Sequence, residues 1–136
     1  MSLRVWDAAT KGDRRLVRSG NRLAISPDGN WIASDYDERL KVWDATTGEE
    51  TLVLDGHRMA VECIAYSPNG HLIVSGGNDG TLKIWNSSTG EETKSLAGHP
   101  RGVECEAFSP DAKYIVSGDW GGGINRSASA SATVGP

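Results

Sequence analysis

Three residues, His57, Ser75 and Asp79, have the side-chain types of a general base, a nucleophile and an orienting carboxylate. In a hydrolase that set performs acyl transfer. The chemistry needs a presented serine, and the chain has no Gly-x-Ser-x-Gly elbow to raise one. A metal would need ligands at short spacing, yet His57, His71 and His99 are far apart, and Cys63 and Cys105 stand 42 residues apart. Gly121-Gly122-Gly123 lacks both the lysine and the strand-turn-helix setting of a phosphate loop. The reading is no catalytic residue, no metal and no cofactor.

The elements that would position these residues are short strands. Val61 to Tyr66 and Leu72 to Val74 are rich in β-branched and aromatic residues, and Ser67-Pro68-Asn69-Gly70 between them has turn chemistry. Asn78-Asp79-Gly80 signals a hairpin, because Asp-Gly tolerates positive φ, and Thr81 to Trp85 follows as the next strand. No window carries a sustained helical stripe, so the chain reads as all β.

The same order recurs at a fixed period. Gly-His stands at 56–57 and 98–99, 42 residues apart. Ser-Pro recurs at 26–27, 67–68 and 109–110, and Trp at 6, 43 and 85, followed twice by Asp and once by Asn86. A period near 40–45 residues is that of a propeller blade of four short strands. Over about residues 3–124 the chain resembles the Trp-Asp (WD) repeat β-propeller family. The implied fold is a partial β-propeller of four-stranded antiparallel blades: a half-blade at 3–18, a blade at 19–54, a blade at 58–97 and a partial blade at 100–124. Residues 125–136, rich in Ser and Ala, read as a disordered tail.

The resemblance gives His57, Ser75, Asp79 and Trp85 a different meaning, a hydrogen-bonded structural tetrad that satisfies buried polar groups. The first full blade keeps Ser34, Asp37 and Trp43 but has no such histidine. The third keeps His99 and Ser117 but has Gly121 and Ser127 in place of the Asp and Trp. It also carries Glu106 at the apolar Ile64 position, which is costly unless paired or solvated. By the same resemblance, the face carrying the hairpins and Gly-His loops is the binding face. Its candidate contact residues are Tyr36, Asn78, Trp120, Arg58, Ala60, Glu62, Arg101, Gly102 and Glu104. Glu62 and Glu104 would suit a basic peptide. Arg14 to Arg18 reads as an outer strand, and Lys11, Arg14, Arg15, Arg18 and Arg22 as charge that keeps it from edge pairing, with a small basic docking patch as the alternative.

Net charge is −4 and the pI about 5.3, against bulk attraction to nucleic acid or anionic membrane. No apolar run approaches 18 residues and no basic-then-apolar leader is present, so neither a membrane span nor a secretion signal is expected. The triplets Asn86-Ser87-Ser88 and Asn125-Arg126-Ser127 are then chance glycosylation patterns. Two cysteines at equivalent repeat positions fit a reduced cytoplasmic, or nuclear, compartment. Three blades are too few for a ring of about 4–8. The expectation is therefore a piece of a longer propeller, or two copies sharing half-blades in a six-bladed homodimer. Function reads as a non-catalytic scaffold or sensor that binds protein or peptide segments. The alternatives are an enzyme on a propeller scaffold and a degenerate fragment without its own function.

Overall fold

The computed structural model describes residues 2–6, 13–18, 22–36, 38–97, 102–119 and 129–133, with side chains placed over 22–36, 38–97, 102–103 and 108–118. Among the described residues every regular element is a β-strand. β1 (Ser2–Trp6) and β2 (Asp13–Arg18) pair as an antiparallel hairpin. The first four-stranded sheet is an antiparallel meander of β3 (Leu23–Ile25), β4 (Trp31–Tyr36), β5 (Arg39–Asp44) and β6 (Glu50–Asp55). The second is β7 (Val61–Tyr66), β8 (Leu72–Gly77), β9 (Thr81–Asn86) and β10 (Glu92–Ala97). The third has β11 (Val103–Phe108), β12 (Tyr114–Asp119) and β13 (Ser129–Thr133). This is the all-β, blade-like architecture the repeat implies.

The core is built by alternation along the second sheet. Ile64, Ile73 and Trp85 cluster with Ala33, Leu40, Val42 and Leu54 of the first sheet. The intervening Cys63, Val74, Leu82 and Ile84 cluster with Val103 and Ile115 of the third. Full burial of such a side chain contributes about 1.5–3 kcal/mol, so the middle sheet, apolar on both faces, anchors the described structure. Away from it, apolar residues stay exposed: Leu23 and Ile25 on β3, Tyr114 and Val116 on β12.

Each β-turn between the two innermost strands is tied by one device. Ser26 Oγ donates to Asp28 Oδ1 (2.6 Å) and accepts from Trp31 N–H, while Asp28 Oδ1 also takes Asn30 N–H. Ser67 and Asn69 make the same bonds one blade later, and Ser109 and Asp111 again in the third. The residue after the tryptophan is a second such device. Asp44 Oδ1 accepts from Thr46 and Thr47 N–H, and Asn86 Oδ1 from Ser88 and Thr89 N–H. An acceptor oxygen is all the turn needs, which is why Asp and Asn interchange there. Gly29 and Gly70 close the first turns at positive φ, but Ala112 holds φ +62° in the third, a conformation that strains a side chain.

The third sheet departs from the sequence reading. The end of the expected partial blade, residues 120–124, lies outside the described residues, and β12 pairs with Ser129–Thr133. Those residues read from sequence as part of a disordered tail because they carry almost no apolar surface. Pairing needs only backbone donors and acceptors, and the open edge of β12 supplies them.

Candidate functional site

The loop before β7 and the hairpin between β8 and β9 bring His57, Ser75, Asp79 and Trp85 together. Trp85 Nε1 donates to Ser75 Oγ at 2.9 Å, and Ser75 Oγ lies 2.7 Å from His57 Nε2. An indole nitrogen can only donate, so Ser75 accepts from it, and the hydroxyl donates to Nε2 in the Nδ1–H tautomer of His57. His57 Nδ1 lies 3.5 Å from Asp79 Oδ2, without a hydrogen-bond partner among the described residues. That separation is long for a hydrogen bond. Burial is the main influence on His57 and lowers its pKa, against the pull of the Asp79 carboxylate, so the ring is neutral. Burial alone would raise the Asp79 pKa. Hydrogen bonds from the Thr81 hydroxyl, Thr81 N–H and Arg58 N–H, with His57 alongside, outweigh it and hold the carboxyl below its usual value.

The order Asp–His–Ser is that of a hydrolase, but the setting is not. Ser75 is 0% exposed and the His57 side chain 0%, and the indole occupies the serine from the far side. Two glycines make the packing possible. A Cβ on Gly77 would stand 2.6 Å from His57 Nδ1 and 2.8 Å from Asp79 Oδ1. One on Gly56 would stand 2.7 Å from Glu92 Oε1 and 3.0 Å from the Trp85 ring. Gly80 at φ +82° closes the hairpin. Lys83, nearly buried, is neutralised by Glu92 at 3.0 Å, a pair repeated as Lys41–Glu50 in the first sheet. Neither Gly77 nor the lysine pairs were singled out from sequence, although Lys41 and Lys83 both stand two residues before the repeat tryptophan.

The first sheet keeps only half of this network. Trp43 Nε1 donates to Ser34 Oγ at 2.8 Å, while Asp37 lies outside the described residues. Two positions after the serine, where the second sheet has Gly77, the first has Tyr36. Its ring is 41% exposed, with Lys41 Nζ 4.1 Å from the centroid, an attractive cation–π distance. Tyr36, Glu38, Arg39 and Ala60 line a surface depression of about 420 Å3.

Of the other candidate contact residues, Arg58, Ala60 and Asn78 are exposed around the same loops, and Asn78 N–H bonds the Ala60 carbonyl at 2.9 Å. Met59, 51% exposed, joins them. Glu62 sits at the irregularity between Val61 and Cys63 in β7 but is not a free acid, because Arg22 of the first sheet bridges it at 3.0 Å. That pairing weakens the expectation of a basic peptide on this face. Gly102 is buried rather than presented. Arg101 and Trp120 lie outside the described residues, as do the side chains of Glu104 and Glu106. Among the described residues no group of three His, Cys, Asp or Glu side chains could hold a metal ion, and no helix is long and apolar enough to cross a membrane.

Comparison with known proteins follows the repeat. The family model "WD domain, G-beta repeat" matches residues 17–44, 48–86 and 90–125. The chain is 32% identical over 73 residues to nuclear distribution protein nudF of Emericella nidulans, covering 49% of this chain and 16% of that protein. It is 40% identical over 50 residues to small ribosomal subunit protein RACK1y of Oryza sativa subsp. japonica, covering 37% and 15%. It is 34% identical over 95 residues to nuclear distribution protein PAC1 of Arthroderma benhamiae, covering 60% and 21%. The matched segments thus span under a quarter of each of these three relatives.

Proposed function

The chain belongs to the WD-repeat family, and from that premise we propose that it is a non-catalytic interaction module that binds a protein or peptide segment on its hairpin and Gly-His-loop face. The observation that carries the reading is the depression lined by Tyr36, Glu38, Arg39 and Ala60, with Lys41 stacked on an exposed tyrosine. An accessible aromatic beside cations is the kind of group that dominates binding energies. A relative named as a small ribosomal subunit protein fits a role within larger assemblies. The non-catalytic part rests on the burial of Ser75, which leaves a substrate carbonyl no approach. A photo-crosslinking residue placed at Tyr36 is expected to form protein adducts in cells, while the same residue at exposed Val53 on β6 forms none. Equal labelling at both positions, or none at Tyr36, overturns the assignment.

The second part of the reading is that further blades complete the ring, from a longer parent chain or from a second copy. Its support is the pair of exposed apolar faces, Leu23 with Ile25 and Tyr114 with Val116, on the two sheets that flank the middle one. Light scattering on a sizing column distinguishes the sources. A homogeneous dimer means a second copy, a heterogeneous or aggregating chain means missing blades, and a cooperative folded monomer contradicts both. A reducing cytoplasmic or nuclear setting is part of the same proposal.

A further inference from the structure

A cleft of about 560 Å3 runs between the first and second sheets on the opposite face, among the turns rather than the Gly-His loops. Pro27 meets Gly70 at one side of it, and Leu52 meets Gly90 at the other. Its walls combine Trp31, Val42 and Leu52 with Tyr66, whose hydroxyl oxygen is closed off from water and has no hydrogen-bond partner among the described residues. Trp31 is 38% exposed at the mouth. Asp28 stands on the rim. Hydrogen bonds from Ser26 and from Asn30 N–H hold its carboxyl below the usual value, so it is ionised at neutral pH.

The charge of Asp28 is not needed by the fold. Asn69 occupies the same position one blade later and makes the same two hydrogen bonds through its amide oxygen. The turn therefore asks for an acceptor, and the negative charge is surplus to it. The surroundings share the sign. The four turns over residues 26–30, 45–49, 67–71 and 87–91 contain Asp28, Glu49 and Glu91, all exposed, with no lysine or arginine.

We propose that this cleft is a second docking site, distinct from the hairpin face, and that its occupant is a cationic peptide segment. An arginine or lysine of the segment pairs with Asp28, and flanking apolar side chains pack on Trp31 and Leu52. Acidic segments and phosphate-bearing polymers are disfavoured by Asp28 and by the exposed Glu49 and Glu91 of the neighbouring turns.

The test uses the full chain and two fluorescein-labelled peptides, Ac-Ala-Leu-Arg-Leu-Ala-NH2 and its counterpart with glutamate in place of arginine. Anisotropy gives affinity, and amide and indole resonances report location. The arginine peptide is expected to saturate, shifting Trp31 and Gly70 but not Tyr36 or Arg58, while the glutamate peptide binds at least tenfold more weakly. Asp28→Asn, which the second blade shows to be compatible with the turn, should weaken the arginine peptide by roughly two- to fivefold. The proposal is overturned by absent binding, by equal affinity for the two peptides, by shifts confined to the hairpin face, or by affinity unchanged in Asp28→Asn.

Discussion

The first and second sheets carry the same serine and tryptophan in hydrogen-bond contact, Ser34 with Trp43 and Ser75 with Trp85, and differ in what stands two residues after the serine. In the second sheet it is Gly77, and His57 with Asp79 fills the space a side chain would take. In the first it is Tyr36, whose ring turns outward under Lys41. One position thus switches a blade between an interior use and an exterior one. With the histidine, the loop is pinned to the hairpin and the surface is plain. Without it, the same site presents an aromatic. The difference also follows packing: the Trp85 cluster spans both sheets, whereas among the described residues Trp43 clusters with Ile32 and Ala45 of its own sheet.

The largest effect expected from this contrast is at the tryptophans. Trp85→Ala should cost about 3–5 kcal/mol, since it empties the interface between two sheets. Trp43→Ala should cost roughly 1 kcal/mol less, because its cluster among the described residues joins no second sheet. Urea denaturation of both variants checks the order, and equal costs would break the comparison. Next comes Gly77→Ala, expected to destabilise by about 1–3 kcal/mol through collision with His57 and Asp79. In a His57→Ala background most of that cost should vanish, a coupling that a double-mutant cycle reads directly. Additive costs would mean that the glycine serves some other purpose.

A smaller effect is expected in the third sheet, where Ala112 holds the positive φ that Gly29 and Gly70 hold elsewhere. Ala112→Gly should raise stability by about 0.5–1 kcal/mol or leave it level, since relief of strain competes with the greater freedom of glycine when unfolded. A clear loss would contradict the strain.

The mildest effect is a pH dependence. His57 has a lowered pKa in the fold and an ordinary value of 6.5 when unfolded. As pH falls through 6.5 the unfolded chain takes up a proton that the folded chain does not, so stability declines on the acid side of that value. Asp79, held below its ordinary 3.8, adds a separate loss only as pH falls through that lower range. Melting curves at pH 7.5 and 5.5 should therefore differ, and His57→Ala should flatten the difference.

Much of this was legible in the sequence because the repeat markers are the residues that end strands. Ser-Pro, Gly-His and Trp-Asp each mark a turn tie, a loop anchor or a buried donor, and their spacing sets the repeat period of the all-β fold. The tetrad residues were legible for the same reason, each occupying a fixed place relative to a turn. What escaped was whatever depends on a neighbour in space. Arg22 and Glu62 lie on different sheets, so nothing local announces their bridge. Gly77 looks like any strand-end glycine until His57 is placed against it. β13 has no apolar pattern, and only the free edge of β12 accounts for it. The Tyr36 hairpin is one residue shorter than its successor, which made Tyr36 look equivalent to Asn78 rather than to Gly77.

The central claim is that the His57–Ser75–Asp79–Trp85 network holds the second blade together. The most direct test is the equilibrium unfolding free energy of His57→Ala against the parent chain at pH 7.5. A loss of about 1–3 kcal/mol with an unchanged denaturant slope is the result this account requires, because the buried Ser75 hydroxyl would lose its His57 partner and a cavity would open beside Trp85. A change of less than a few tenths of a kcal/mol would contradict it.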